Sequence, residues 1–377
     1  MIDSERLARE FVTLCEIASP SGREGRVATY LKKVCAELGG EVLEDDSATH
    51  TGADCGNLLV RFAAGGLDLE PVFFNCHMDT VGPADEVRPR RRGDIFTSQG
   101  DTVLGGDDKS GIAVLIETMR TIREKGLPHG PMEFLFTTSE EIGLLGAKAF
   151  DTGRLRARLG YALDTTGTGK VIIAAPAANR ITAIIQGVAA HAGLHPEEGI
   201  SAIHLAARAI AGLQLGRLDP ETTANIGRIE GGTAINIVPE RVVVRGEVRS
   251  HDVAKLAVRT KAIEDGFRQA VETWRDPSGR VPGRPSLSFA VEEEFPLMRL
   301  TMDEPVIQRV RRAGERIGLG LEYIMAGGGS DANIFNGKGV RTAILSTGMD
   351  KVHTTEERID LRDMTRTAEL VLALCTG

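Results

Sequence analysis

A histidine and an aspartate two residues apart, His77 and Asp79, follow directly on the apolar run 72–74. Side chains two apart on an extended segment point the same way. A strand ending here therefore delivers both to its tip, a pair that suits a metal-ligating imidazole whose far nitrogen is held by a carboxylate. Taken alone, such a histidine is more often satisfied inside a core. The rest of the chain reverses that preference. Gly105-Gly106-Asp107-Asp108-Lys109, Ser139-Glu140-Glu141, Leu163-Asp164-Thr165 and Val352-His353-Thr354 lie downstream, most of them just past another apolar, strand-like run.

Residues 4–38 read as two helices broken at Ser19-Pro20-Ser21-Gly22, where serine and proline supply a turn and a fresh helix start. Strand-like runs recur at 57–62, 72–75, 132–138 and 161–163. Between them, residues 110–125 carry Ile112, Leu115, Ile116 and Met119 at helical spacing. Strands alternating with helices predict an α/β domain with a mixed, mostly parallel sheet covered by helices. From about residue 179 the texture changes. A strand at 181–188, a helix at 201–213, a strand pair at 222–229 and 241–249, a long helix at 253–274 and a strand at 286–291 give the order βαββαβ, a ferredoxin-like α+β unit that closes on itself. A helix at 303–317 and a strand at 342–346 return to the first sheet. The expected organisation is one domain of residues 1–178 and 292–377, interrupted by a second of residues 179–291.

The 377 residues are 42% hydrophobic, enough for two cores. The net charge of -8 argues against a nucleic-acid or anionic-membrane partner, since those need a basic face. The one basic run, 88–92, has no interleaved aromatics and reads as a solvated hairpin flank. Five cysteines without CxxC spacing argue against a disulfide framework. The N-terminus has no apolar signal region and no segment is long and apolar enough to span a membrane. A cytoplasmic location is expected.

Open α/β sheets form their ligand crevice at the carboxyl ends of neighbouring strands. If the motifs meet there, His77, Asp79, Asp107, Glu140, Glu141, Asp164 and His353 converge. Each like-charged pair among the five carboxylates costs roughly 3 kcal/mol at about 5 Å and an effective dielectric of about 20. Lysine and arginine are scarce in these motifs, so bound divalent metal is the economical counter-charge. Histidine with carboxylate suits zinc, with manganese or cobalt as alternatives.

The ordered motifs HMDTV, GGDDKSG, TSEEIG, ALDTTG and HTTEE resemble those of the M20 metallopeptidases, and their spacing resembles peptidase T-like members most. The resemblance spans nearly the whole chain. It implies two zinc ions per chain bridged by Asp107, with His77 and Asp164 completing the ligands of one, and Glu141 and His353 those of the other. Asp108 is then expected to start a helix. The resemblance further implies that Asp79 orients His77 and that Glu140 is the general base. In the inserted unit, it assigns His191 and Asn236 to stabilising the tetrahedral oxyanion, and Arg249 to the substrate's terminal carboxylate. Gly328 and Ser330, in the glycine-rich 326–331 turn, are expected near the substrate. The implied activity is hydrolysis of an amide bond in a short peptide, as an aminopeptidase acting on tripeptides, by a homodimer formed through the inserted lid.

Three rivals are weaker. A serine or cysteine hydrolase lacks a GxSxG sequence, and Cys76 belongs to what reads as a buried strand. A nucleotide-binding enzyme finds neither GxGxxG nor a complete P-loop around Gly167-Thr168-Gly169-Lys170. A non-catalytic peptide-binding protein is opposed by competent residue types at all seven convergent positions. Dipeptidase, aminoacylase, carboxypeptidase and desuccinylase activities share the same site chemistry and stay open.

Overall fold

The computed structural model describes residues 2–377. The chain forms two compact units. The first runs to Ala175 and resumes at Met298; the second is Pro176–Leu297. The junctions expected at 178/179 and 291/292 fall inside the strands Ala177–Gln186 and Ser286–Phe295. These strands pair with each other as far as Ala178 and Phe295, and Arg180 binds Glu294 at 2.8 Å. The acidic stretch 292–294 thus belongs to a strand although its composition suggests an ending.

In the first unit the helices Ser4–Cys15 and Gly25–Glu37 flank the predicted break. Asp3 caps the former by accepting from the Arg6 amide, and Leu7, Phe11 and Leu14 bury its apolar stripe. The sheet is mixed. Its centre is parallel, in the order Met132–Thr137, Val72–His77, Leu159–Thr166, Arg341–Asp350; its flanks, such as Leu58–Phe62 against Met132–Thr137 and the hairpin Pro89–Arg92 with Ile95–Ser98, are antiparallel. The basic run 88–92 is therefore a hairpin flank.

The central strands are apolar on both faces because helices cover them. Fully burying each Phe or Leu there contributes about 1.5–3 kcal/mol, and Phe74, Phe134 and Phe136 add edge-to-face ring contacts. Helix Gly106–Lys125 is buried almost all round, packed against Ser4–Cys15 and the C-terminal helix Leu361–Thr376. That last helix is an addition to the sequence-based picture. Asp360 caps it, and Leu361, Met364, Ala368 and Val371 form its inner stripe.

The second unit has an antiparallel sheet ordered Gly216–Asp219, Thr222–Gly231, Arg241–Ser250, Ala177–Gln186, Ser286–Phe295. Without the short first strand, the spatial order by chain position is 4-1-3-2, the ferredoxin-like arrangement. Helices Ala202–Ala211 and Val253–Glu272 start at side-chain caps, Ser201 and Asp252, and bury Leu205, Leu256, Ile263 and Phe267 against the sheet.

Candidate metal centre

Four parallel strands point their carboxyl ends the same way, and the predicted ligands of the first unit leave from those ends. His77 is the last residue of its strand, Glu140 and Glu141 follow Met132–Thr137, Asp164 lies near the end of Leu159–Thr166, and His353 follows Arg341–Asp350. Asp107 comes from the loop that opens the Gly106–Lys125 helix, where Asp107 and Asp108 are non-helical and joined by a cis peptide.

These side chains meet. His77 Nε2 is 3.0 Å from Asp107 Oδ1, and His353 Nε2 is 3.2 Å from Asp107 Oδ2 and 3.0 Å from Glu141 Oε1. Ligand atoms of His77, Asp107 and Asp164 lie within 4.8 Å of one another, as do those of Asp107, Glu141 and His353. Donors on one tetrahedral ion with bonds of about 2.0–2.1 Å sit about 3.3 Å apart. The nitrogen-to-oxygen separations therefore match two ligands sharing a cation, and each oxygen of Asp107 faces a different histidine. Glu140 groups with His77 and Glu141 on the same distance criterion.

The surrounding bonds fix the ligands. His77 Nδ1 lies 3.0 Å from the Asp79 carbonyl oxygen and 3.3 Å from its carboxylate, which sets the tautomer leaving Nε2 toward Asp107. Asp79 also accepts from Ser21 Oγ at 2.6 Å and from the amides of Glu140 and Glu141 at 3.0 and 3.2 Å. One carboxylate thus orients both the imidazole and the Glu140-Glu141 turn. Glu357 does the same for the opposite loop, accepting the amides of Leu104, Gly105 and Asp107 at 2.8–3.0 Å.

Charge crowding is visible in the protonation behaviour. Burial, and then the neighbouring Asp107 carboxylate, push the Asp164 carboxyl well above its usual range; burial, Asp164 and Asp331 do the same to Glu140. Burial works against an imidazolium at His77, yet the Asp107 and Asp79 carboxylates hold its pKa well up. Asp107 and Glu141 raise His353 to about 10. Bound cations would offset this crowding.

Asp108 stands at the helix start as expected, in the first turn of Gly106–Lys125, although its own backbone is non-helical. It is buried, accepts the His77 amide at 3.3 Å, and is pushed well above the carboxylate range by burial. A Cβ on Gly111 would stand 2.4 Å from its Oδ1, so glycine is required for this approach. Ser330 is buried as the N-cap of Asp331–Gly337, accepting from the Ala332 amide, while Gly328 is partly exposed. Ser21, Glu357 and Asp331 belong to the site's framework although no role was assigned to them from sequence. Asp331 accepts from Thr137 Oγ1 and from Asn75 Nδ2, on the strands that carry Glu140 and His77.

Within the second unit, His191 and Asn236 are brought together: Ala192 N donates to the Asn236 carbonyl at 2.9 Å and His191 bridges Ile237. His191 is exposed, and its Nδ1 accepts the Gly193 and Leu194 amides at 3.1 and 3.2 Å. With Nδ1 accepting, Nε2 is the ring nitrogen placed to donate. Arg249 pairs with Glu247 at 2.9 Å and lies over the Phe295 ring.

The model of peptidase family M20/M25/M40 matches residues 73–376. The chain belongs to that family. Among solved structures, M20 similarity extends to the aminopeptidase PepT from Bacillus cereus, 40% identical with a TM-score of 0.87, and to a tripeptidase from Staphylococcus aureus, 36% identical with a TM-score of 0.91; each match covers 100% of this chain and 98% of the other. The Bacillus subtilis protein YqjE is 38% identical over 99% of this chain and 98% of its own length. The shared M20 fold places peptidase chemistry in this chain.

Proposed function

We propose that the protein is a zinc-dependent aminopeptidase that removes the N-terminal residue of tripeptides. The reading rests on one observation, the two oxygens of Asp107 each directed at a different histidine. His77, Asp107 and Asp164 would hold one cation, and Asp107, Glu141 and His353 the other. Such a pair, when bound, polarises a carbonyl and acidifies water. Glu140 stands beside it as the base that takes the proton from water and returns it to the leaving amine. Asp79 keeps His77 in the ligating tautomer.

His191 would donate its Nε2 proton to the developing oxyanion, and Asn236 would share that role. Arg249 would bind the peptide's carboxylate in place of Glu247, since its planar guanidinium already accommodates a carboxylate there. Gly328 is proposed to lie along the substrate, with Ser330 fixing the turn that presents it. The aminopeptidase and tripeptidase relatives support the substrate class. The protein would work as a homodimer through the second unit, in the cytoplasm; no helix among the described residues is long and apolar enough to cross a membrane.

The test is turnover of a dipeptide, tripeptide and tetrapeptide panel, including N-acetylated tripeptides, with metal counted in the same sample. Zinc-dependent release of the first residue from unblocked tripeptides is expected. Equal turnover of the N-acetylated peptides, or activity that survives complete chelation, contradicts the reading.

A further inference from the structure

Outside the proposed centre, the described residues of the first unit include a further grouping, one that combines a thiol with carboxylates. Ligand atoms of Glu24, Asp54 and Cys55 lie within 4.8 Å of one another. They are brought there by the docking of one loop on another: Asp54 N donates to the Gly22 carbonyl at 3.1 Å, and Gly25 N donates to Asp54 Oδ1 at 2.7 Å. Gly25 leaves room for this carboxylate, since a Cβ would stand 3.0–3.2 Å from its atoms.

Three acceptable donors in proximity do not make a site. The decisive feature is Glu24. It is fully buried, and its Oε1 accepts the Gly22 and Ser139 amides at 2.9 Å, while Oε2 is sealed from solvent with no hydrogen-bond partner. A buried carboxylate oxygen left without a partner costs about 1–3 kcal/mol or more. Cys55 is buried beside it, whereas Asp54 is exposed and gives the group an opening to solvent.

We propose that Glu24, Asp54 and Cys55 form a separate binding site for a thiophilic divalent cation of the zinc type, with a fourth position open to water. Thiolate with carboxylate is a donor set such ions accept, and donors on one ion with bonds of about 2.0–2.3 Å sit about 3.3–3.7 Å apart, within reach of the observed grouping. Burial, with Glu24 adding to it, pushes the Cys55 thiol up to about 12. Uptake of the ion therefore breaks the S–H bond, forms a sulfur–metal bond and releases the proton to solvent, so binding strengthens as pH rises. The site is tied to the peptidase machinery through Glu24, whose other oxygen holds Ser139, next to Glu140.

The two sites are distinguishable because the peptidase centre offers only nitrogen and oxygen donors. Reduced, chelator-stripped full-length protein is titrated with cobalt(II). The expected result is a near-ultraviolet sulfur-to-cobalt charge-transfer band and one cobalt per chain more than in Cys55→Ser. That variant should lack the band and keep its peptide turnover, and Asp54→Asn should move half-saturation of the band to higher cobalt. A wild-type protein without the band, meaning that Glu24 is simply a buried neutral acid, overturns the proposal. So does a band that persists in Cys55→Ser, or one that Asp54→Asn leaves unmoved.

Discussion

The two ends of the proposed metal centre use the same ligand type in opposite settings. His77 ends a central strand, its side chain is 2% exposed, and its second nitrogen is held by Asp79. His353 sits in a turn at φ 62°, its side chain is 50% exposed, and its ring is held by Asp107 and Glu141 alone among the contacts seen. One end is pre-oriented by the fold; the other would gain its order from the carboxylates it would share with a bound ion. Affinity and exchange should differ accordingly, because orienting a ligand beforehand removes an entropic cost of binding.

The largest effect should come from the residue common to both ends. Asp107→Ala is expected to abolish turnover and bring zinc per chain, measured by atomic absorption, close to zero. Two zincs retained per chain would mean that the ends do not depend on a shared carboxylate. Next in size, Glu140→Gln should lower kcat by about 10²–10⁴-fold with zinc content unchanged. Loss of zinc in parallel with rate would make Glu140 a ligand and redraw the His77 end.

The comparison itself is tested by Asp79→Asn, which removes the carboxylate that orients the buried imidazole. A loss of about 10–100-fold in metal affinity or activity is expected. In the wild type, stepwise chelation followed by calorimetric readdition should reveal a loose and a tight site. In Asp79→Asn the two should draw together. Two sites that were already equal in the wild type would sink the asymmetry.

How much of this was legible in the sequence follows from where each interaction is encoded. His77, Glu140, Glu141, Asp164 and His353 stand out because each follows or ends an apolar strand, a switch that is local, and Asp107 because an acidic pair follows two glycines at a helix start. Glu357 was visible in HTTEE yet carried no role, because its three amide donors lie about 250 residues earlier. Beside it, the chemically identical Glu356 is exposed and pairs with Lys351. No local pattern separates the two. The strand extension to Phe295 was hidden for a similar reason: Glu294 is accommodated there by Arg180 across the sheet.

Asp331 offers the smallest probe, since it braces the strands that lead to His77 and to Glu140 through Asn75 and Thr137. Burial lifts its pKa from 3.8 to about 6, against the hydrogen bond from Thr137. The folded protein therefore holds this proton more tightly than the unfolded chain does. Its stabilising contribution is fully present below about pH 4 and is lost as pH rises through about 6. In metal-stripped protein, Asp331→Asn should remove that part of the pH dependence and leave the variant more stable than wild type at pH 7, by up to about 3 kcal/mol, in urea melts. Zinc should narrow the gap, because cations near the crevice offset the charge that the wild-type carboxylate adds. Parallel stability curves for the two proteins between pH 4 and pH 7 would show that Asp331 shares no electrostatic strain with the His77 end. The crowding there would then have to be relieved by the ligands themselves.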